Sequence, residues 1–256
     1  MKNIPNENLR KTARDHLIFA LDIGNGIDEA LFWVARLKDH VGLFKVGKES
    51  FTLYGPEIVK HIIQYGGKVF LDLKFHDIPN TVARAAEGAV KMGVSMFNIH
   101  ALGGKKMMEE TVASVRQKAE AMGKPMPIIL AVTVLTSLND DDLKTFGFTR
   151  TTGEVVLTLS RMAQDAGVTG VVASALDVLA IREACGQDFV IVAPGIRGVS
   201  KVQGDDQKRT LAPGEAIRKG ADYLVVGRPI RAADDPVFAA EEILREISEG
   251  LLMRES

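Results

Sequence analysis

Residues 68–77 read KVFLDLKFHD, a β-branched and aromatic run that ends in charge. Strand alternation places Leu71 and Leu73 on one face and Asp72 and Lys74 on the other. Leucines that pack outward under helices leave the charged pair facing inward, at the mouth of a closed sheet. The same reading applies on both sides of this stretch. Short strand candidates recur at 16–22 (HLIFALD), 42–47 (GLFKVG), 68–74 (KVFLDLK), 95–100 (SMFNIH), 128–135 (IILAVTVL), 170–174 (GVVAS), 189–194 (FVIVAP) and 222–227 (DYLVVG). Successive strands lie roughly 20–35 residues apart, enough for a crossover helix each. Eight βα units predict an α/β fold, a (β/α)8 TIM barrel, as one catalytic domain over 16–256. The alternative is an open doubly wound sheet. Its glycine signature after the first strand is missing, because residues 24–29 read GNGIDE.

The remaining sequence is consistent with one soluble globule. Of 256 residues, 46% are apolar and 25% charged, which excludes disorder, collagen and coiled coil. Lys plus Arg number 32 against 33 Asp plus Glu, and the net charge of −1 gives no global attraction to nucleic acid or anionic membrane. Any anion site is therefore local. No apolar run approaches the length needed to span a bilayer. One cysteine, Cys185, cannot form an internal disulfide, which points to a reducing, cytoplasmic setting. Residues 1–15 are polar, lack the apolar core of a secretory signal, and read as a flexible leader outside the fold. The stretch after strand seven, GVSKVQGDDQKRTLAPG, is too long for an ordinary turn. It reads as a lid over the mouth, about 198–212, where barrel active sites are built.

Charge accumulates at that mouth. Lys45 takes the same inward, strand-terminal position on strand two as Asp72 and Lys74 take on strand three, and Asp77 follows just past the strand end. A self-satisfied ion pair accounts for Asp72 and Lys74 alone. Two lysines and two carboxylates exceed what stability needs. The loops after strands seven and eight, PGIRG and GRPIR, hold the glycines and arginines a barrel uses to grip phosphate. His76 beside Asp77 suggests a dyad, but adjacent strand positions face apart. His100 ends strand four, where it can be structural or touch substrate. Trp33 lies on an apolar helical stripe and reads as packing. Asp77 before Ile78-Pro79 also suits a helix start.

LDLKFHDIPNT (71–81) resembles the DxKxxDIxxT signature of the orotidine 5′-phosphate decarboxylase family. The likeness extends through FALD (19–22), FKVG (44–47), AVTVLTS (131–137), APGIR (193–197), GDDQKR (204–209) and VVGRPI (225–230), nearly the whole chain from residue 16. The resemblance implies decarboxylation of orotidine 5′-phosphate to UMP in pyrimidine biosynthesis, without metal or cofactor, by a homodimer with shared active sites. It implies a catalytic tetrad of Lys45, Asp72, Lys74 and the partner's Asp77. Asp22 and the partner's Thr81 would hold the ribose hydroxyls and Thr136 the pyrimidine edge. Gln207, Arg228 and the amide of Gly227 would grip phosphate, with Arg197 supporting that loop.

The chemistry suits these residue types. Loss of CO2 from C6 leaves a carbanion that no ring carbonyl delocalises, so the protein must stabilise the charge. Lys74 can do so and then donate the proton. Asp72 either repels the substrate carboxylate or only positions Lys74. Two other readings are compatible with the sequence. One is a metal-dependent sugar-phosphate decarboxylase or synthase, with Asp22, Asp72 and His100 as ligands against the repulsion of two lysines. The other is a binding barrel without turnover.

Overall fold

A computed structural model of the chain describes residues 7–196 and 211–254. Eight strands form one closed barrel: β1 Leu17–Ala20, β2 Leu43–Gly47, β3 Val69–Phe75, β4 Met96–His100, β5 Ile128–Val132, β6 Gly170–Val172, β7 Val190–Ala193 and β8 Tyr223–Val226. Each is parallel to its sequence neighbour, and β1 closes on β8 through Ile18 opposite Val225. All eight expected strands are present, and the open-sheet alternative is excluded. The helices in chain order are α1 Glu7–Asp15, α2 Ile27–Leu37, α3 Lys48–Tyr54, α4 Pro56–Gln64, α5 Pro79–Met92 and α6 Lys105–Ala121. After β5 come α7 Asp140–Thr145, α8 Thr152–Asp165, α9 Val178–Cys185, α10 Pro213–Arg218, α11 Arg228–Arg231 and α12 Pro236–Arg254. One crossover helix per unit understates the chain after β2, β5 and β8, where each connection contains two.

Two apolar layers follow from strand alternation. Leu17, Phe19 and Leu21 point out of β1 into the shell between sheet and helices, where Trp33 of α2 packs on Phe19. Ile18, Leu43, Phe70, Met96, Leu130 and Val192 point the other way and fill the barrel. One step further along three of these inward columns, Leu43 gives way to Lys45, Phe70 to Asp72 and Met96 to Asn98. The bottom of the barrel is therefore a packed apolar plug and its C-terminal mouth is polar, the division that places active sites at that end.

The leader reading is corrected for residues 7–15. They form α1, which lies on α12: Ala13 is fully buried, and Arg10 pairs with Glu241 of α12, which His40 also contacts. Charged groups and one alanine take part in this docking, and a search for apolar periodicity passes over such contacts. The expected lid, about 198–212, lies outside the described residues except for Leu211 and Ala212. Leu211 forms an isolated parallel bridge with Ile196. Among the described residues, no helix is long and apolar enough to cross a membrane.

Candidate active site

A cavity of about 320 Å³ opens at the C-terminal end of the barrel. Asp22, Lys45, Asp72, Lys74, Thr136, Gly227 and Arg228 all line it, so seven residues singled out from sequence meet in one space. Four of them form a chain of alternating charge. Lys45 Nζ lies 2.9 Å from Asp22 Oδ1 and 3.4 Å from Asp72 Oδ2, and Lys74 Nζ donates to Asp72 Oδ1 at 2.6 Å.

Backbone packing sets this spacing. Ser50 at the start of α3 is fully buried and bonds the backbone on both sides of Asp22: its hydroxyl donates to the Leu21 carbonyl and accepts from Ile23 N–H. Gly47 ends β2 beneath the pair. A Cβ there would come within 2.9 Å of Asp22 Oδ1 and 3.1 Å of Lys45 Nζ, so only glycine leaves room for their contact. Thr133 donates to the Val172 carbonyl and anchors the segment that carries Thr136.

β3 departs from regular alternation where it carries its charge. Leu71 pairs with Phe97, but the next pairing is Phe75 with Ile99, so three residues of β3 stand opposite Asn98 alone. Within this bulge Lys74 has φ 53°, the only positive φ outside glycine among the described residues. Such a conformation costs a lysine about 1–2 kcal/mol. Its N–H donates to Asn98 Oδ1 at 2.8 Å in place of a ladder carbonyl, while Asn98 Nδ2 donates to Asp72 Oδ1 at 2.7 Å. The expected faces hold: Leu71 and Leu73 pack on the outer shell, while Asp72 and Lys74 enter the mouth.

The charges are mutually supported. Burial is the largest influence on Lys45 and acts to lower its pKa, but Asp72 and Asp22 together outweigh it and hold the ammonium above its ordinary value. Burial likewise acts to raise Asp72, and Lys45, Lys74 and the Asn98 amide overcome it, leaving the carboxylate below its usual range. Burying an ion costs several kcal/mol, so neither charge would persist without the other. His100 is the opposite case. Burial first, then His76, Lys74 and Lys48, push its pKa down to about 4, so its ring is neutral at pH 7. It stacks on His76 with ring centroids 5.0 Å apart.

Two of the expected residues lie apart from this cavity within their own chain. Asp77 and Thr81 are exposed at the start of α5, and Asp77 Oδ1 accepts the Ile78 N–H at 2.7 Å. His76 faces His100 rather than Asp77, so the two adjacent side chains form no dyad. Arg197 and Gln207 lie outside the described residues. One residue near the site, Asn98, escaped the sequence reading, and one, Arg231, was noticed only as part of the GRPIR loop. Asn98 could have been noticed as a lone amide in an apolar strand. Arg231, one turn beyond Arg228 on α11, also lines the cavity.

A profile of the orotidine 5′-phosphate decarboxylase / HUMPS family matches residues 15–243. A protein of Syntrophus aciditrophicus (strain SB) named orotidine 5′-phosphate decarboxylase is 66% identical over 244 residues, 95% of this chain and 97% of its own. One of the same name from Syntrophotalea carbinolica is 52% identical over 93% of this chain and 97% of its own. The crystal structure of orotidine 5′-phosphate decarboxylase from Lactobacillus acidophilus superposes with a TM-score of 0.79 at 38% identity, covering 90% of this chain and 98% of that one.

Proposed function

The chain belongs to the orotidine 5′-phosphate decarboxylase / HUMPS family, and on that premise we propose that its cavity removes CO2 from orotidine 5′-phosphate to give UMP, in pyrimidine biosynthesis. The observation that carries this reading is the alternating Asp22–Lys45–Asp72–Lys74 chain along the cavity wall.

Lys74 lies under C6 of the bound pyrimidine. The bond between C6 and the carboxylate breaks and its electron pair stays on C6. The nearby ammonium stabilises that charge, then gives C6 a proton from Nζ and is reprotonated from solvent. Asp72 faces the departing carboxylate. Like charges 4 Å apart repel by roughly 4 kcal/mol at an effective dielectric of 20, and loss of CO2 relieves this. Asp72 also holds Lys74 in place, and both effects act in the same direction. Lys45 keeps Asp72 ionised. Arg228 with the Gly227 amide, joined by Arg197 and Gln207, takes the phosphate, whose binding energy organises the groups at the distant C6. Thr136 meets the pyrimidine edge and Asp22 a ribose hydroxyl.

Asp77 and Thr81 complete the site of a partner subunit in a homodimer. Their exposure and their distance from their own chain's cavity support this assignment. The enzyme needs no metal or cofactor and works in the cytoplasm, without nucleic-acid or membrane partners. A metal-dependent sugar-phosphate reaction is disfavoured by Lys45, whose Nζ takes the position between Asp22 and Asp72 that a divalent ion would need. Purified protein given orotidine 5′-phosphate in excess EDTA should form one UMP and one CO2 per substrate consumed, at the rate seen without chelator. Turnover that vanishes with EDTA and returns with Mg2+ would mean the wrong branch has been chosen.

A further inference from the structure

We infer that Asn98 is a positioning residue of this site, its two amide ends setting the Lys74 backbone and the Asp72 carboxylate relative to each other. The inference rests on the decarboxylase reading and goes beyond it, since Asn98 touches neither the cavity nor the reacting carbon.

Asn98 lies inward on β4 with 1% of its surface exposed, directly opposite the bulge in β3. The slip in register leaves the Lys74 N–H without a carbonyl from the ladder, and Asn98 Oδ1 accepts it at 2.8 Å. The other end of the same amide donates to Asp72 Oδ1 at 2.7 Å, the oxygen that also accepts Lys74 Nζ at 2.6 Å. The contacts close a ring: Lys74 backbone, Asn98 amide, Asp72 carboxylate, Lys74 ammonium. A bulge with a left-handed lysine persists only where its surroundings determine it, and here one side chain does so. Few residues could replace it. Aspartate would set a second carboxylate against Asp72, and leucine would leave the buried N–H unpaired. Glutamine is longer by a methylene.

The charged and titratable groups around Asp72 are Lys45 from β2 and Lys74 on β3, with Asp22 reached through Lys45 and His100 further along β4. Asn98 supplies the one neutral donor to this carboxylate among the described residues. Without it Asp72 would hold its proton to higher pH. Activity that needs ionised Asp72 is present above its pKa and lost as pH falls through it. The acid limb of kcat/KM should therefore move upward.

Asn98→Ala and Asn98→Ser are compared with the parent for kcat, UMP affinity and the pH profile of kcat/KM. Serine keeps one hydroxyl at this position, able to accept from a backbone N–H or to donate to a carboxylate. Asn98→Ala should lower kcat about 10- to 100-fold, while UMP affinity, set at the phosphate, stays within about threefold. Its acid limb should lie at higher pH, and Asn98→Ser should recover part of both losses. The inference is overturned if Asn98→Ala stays within about twofold of the parent in kcat, or if its acid limb does not move. Equal losses of kcat and UMP affinity, or failure of both variants to fold, would mark a packing residue and overturn it as well. A parent protein without turnover would instead overturn the decarboxylase reading, and the role of Asn98 with it.

Discussion

Lys74→Ala should lose at least about a thousandfold in kcat while the protein folds and binds UMP, because it removes the group proposed to serve as both the cation beside C6 and the proton donor. Each of those contributions alone is worth about 10²–10³ or more in rate. Folding should survive the change. Alanine inherits the same left-handed φ, so no backbone strain is added, and Asp72 keeps its contacts with Lys45 and the Asn98 amide. In the proposed site UMP is held chiefly through its phosphate by Gly227 and Arg228, which line the cavity away from the substitution. Circular dichroism and calorimetry with UMP separate the two outcomes. Residual turnover above about a tenth of wild type would remove Lys74 from its assigned role.

The second large effect is a recovery. Asp77→Ala protein should, like Lys74→Ala protein, be nearly inactive, yet a mixture of the two should regain activity when subunits exchange. In the proposed homodimer each composite site takes Lys74 from one chain and Asp77 from the other. A mixed dimer then has one site with both native residues and one with neither. Equal amounts reassorted at random give mixed dimers in about half of cases, so activity should return to about a quarter of wild type per site. If Asp77 serves its own chain, no combination restores an intact site and the mixture stays inactive. Assay over the time course of exchange decides between them.

What could be read from the sequence follows from how local each signal is. Every strand is a short run of β-branched, aromatic and other apolar residues, and a parallel barrel repeats that signal eight times, so its count and order are legible without tertiary information. Asp72, Lys74 and Lys45 are legible because charge at inward strand positions needs an explanation, and Gly227 and Arg228 because barrels commonly hold phosphate with the loops after strands seven and eight. The features that were not legible depend on partners distant in sequence. Nothing in LDLKF announces the bulge at Lys74, which exists because Asn98, on another strand, supplies the missing acceptor. Docking of α1 depends on Glu241, 231 residues beyond Arg10. The positions of Asp77 and Thr81 outside their own cavity follow from where β3 ends and α5 begins, a boundary that alternation alone does not fix.

In the proposed reaction Lys74 exchanges a proton with a C6 carbanion. The last step run backward must then take the C6 proton from UMP. Proton NMR of UMP with the enzyme in D2O follows this directly. The C6–H signal should be replaced by deuterium far faster with wild-type protein than without it, and Lys74→Ala should exchange no faster than the protein-free control. Exchange at equal rates in wild type and Lys74→Ala, or none above the control in either, would contradict the proposed reaction.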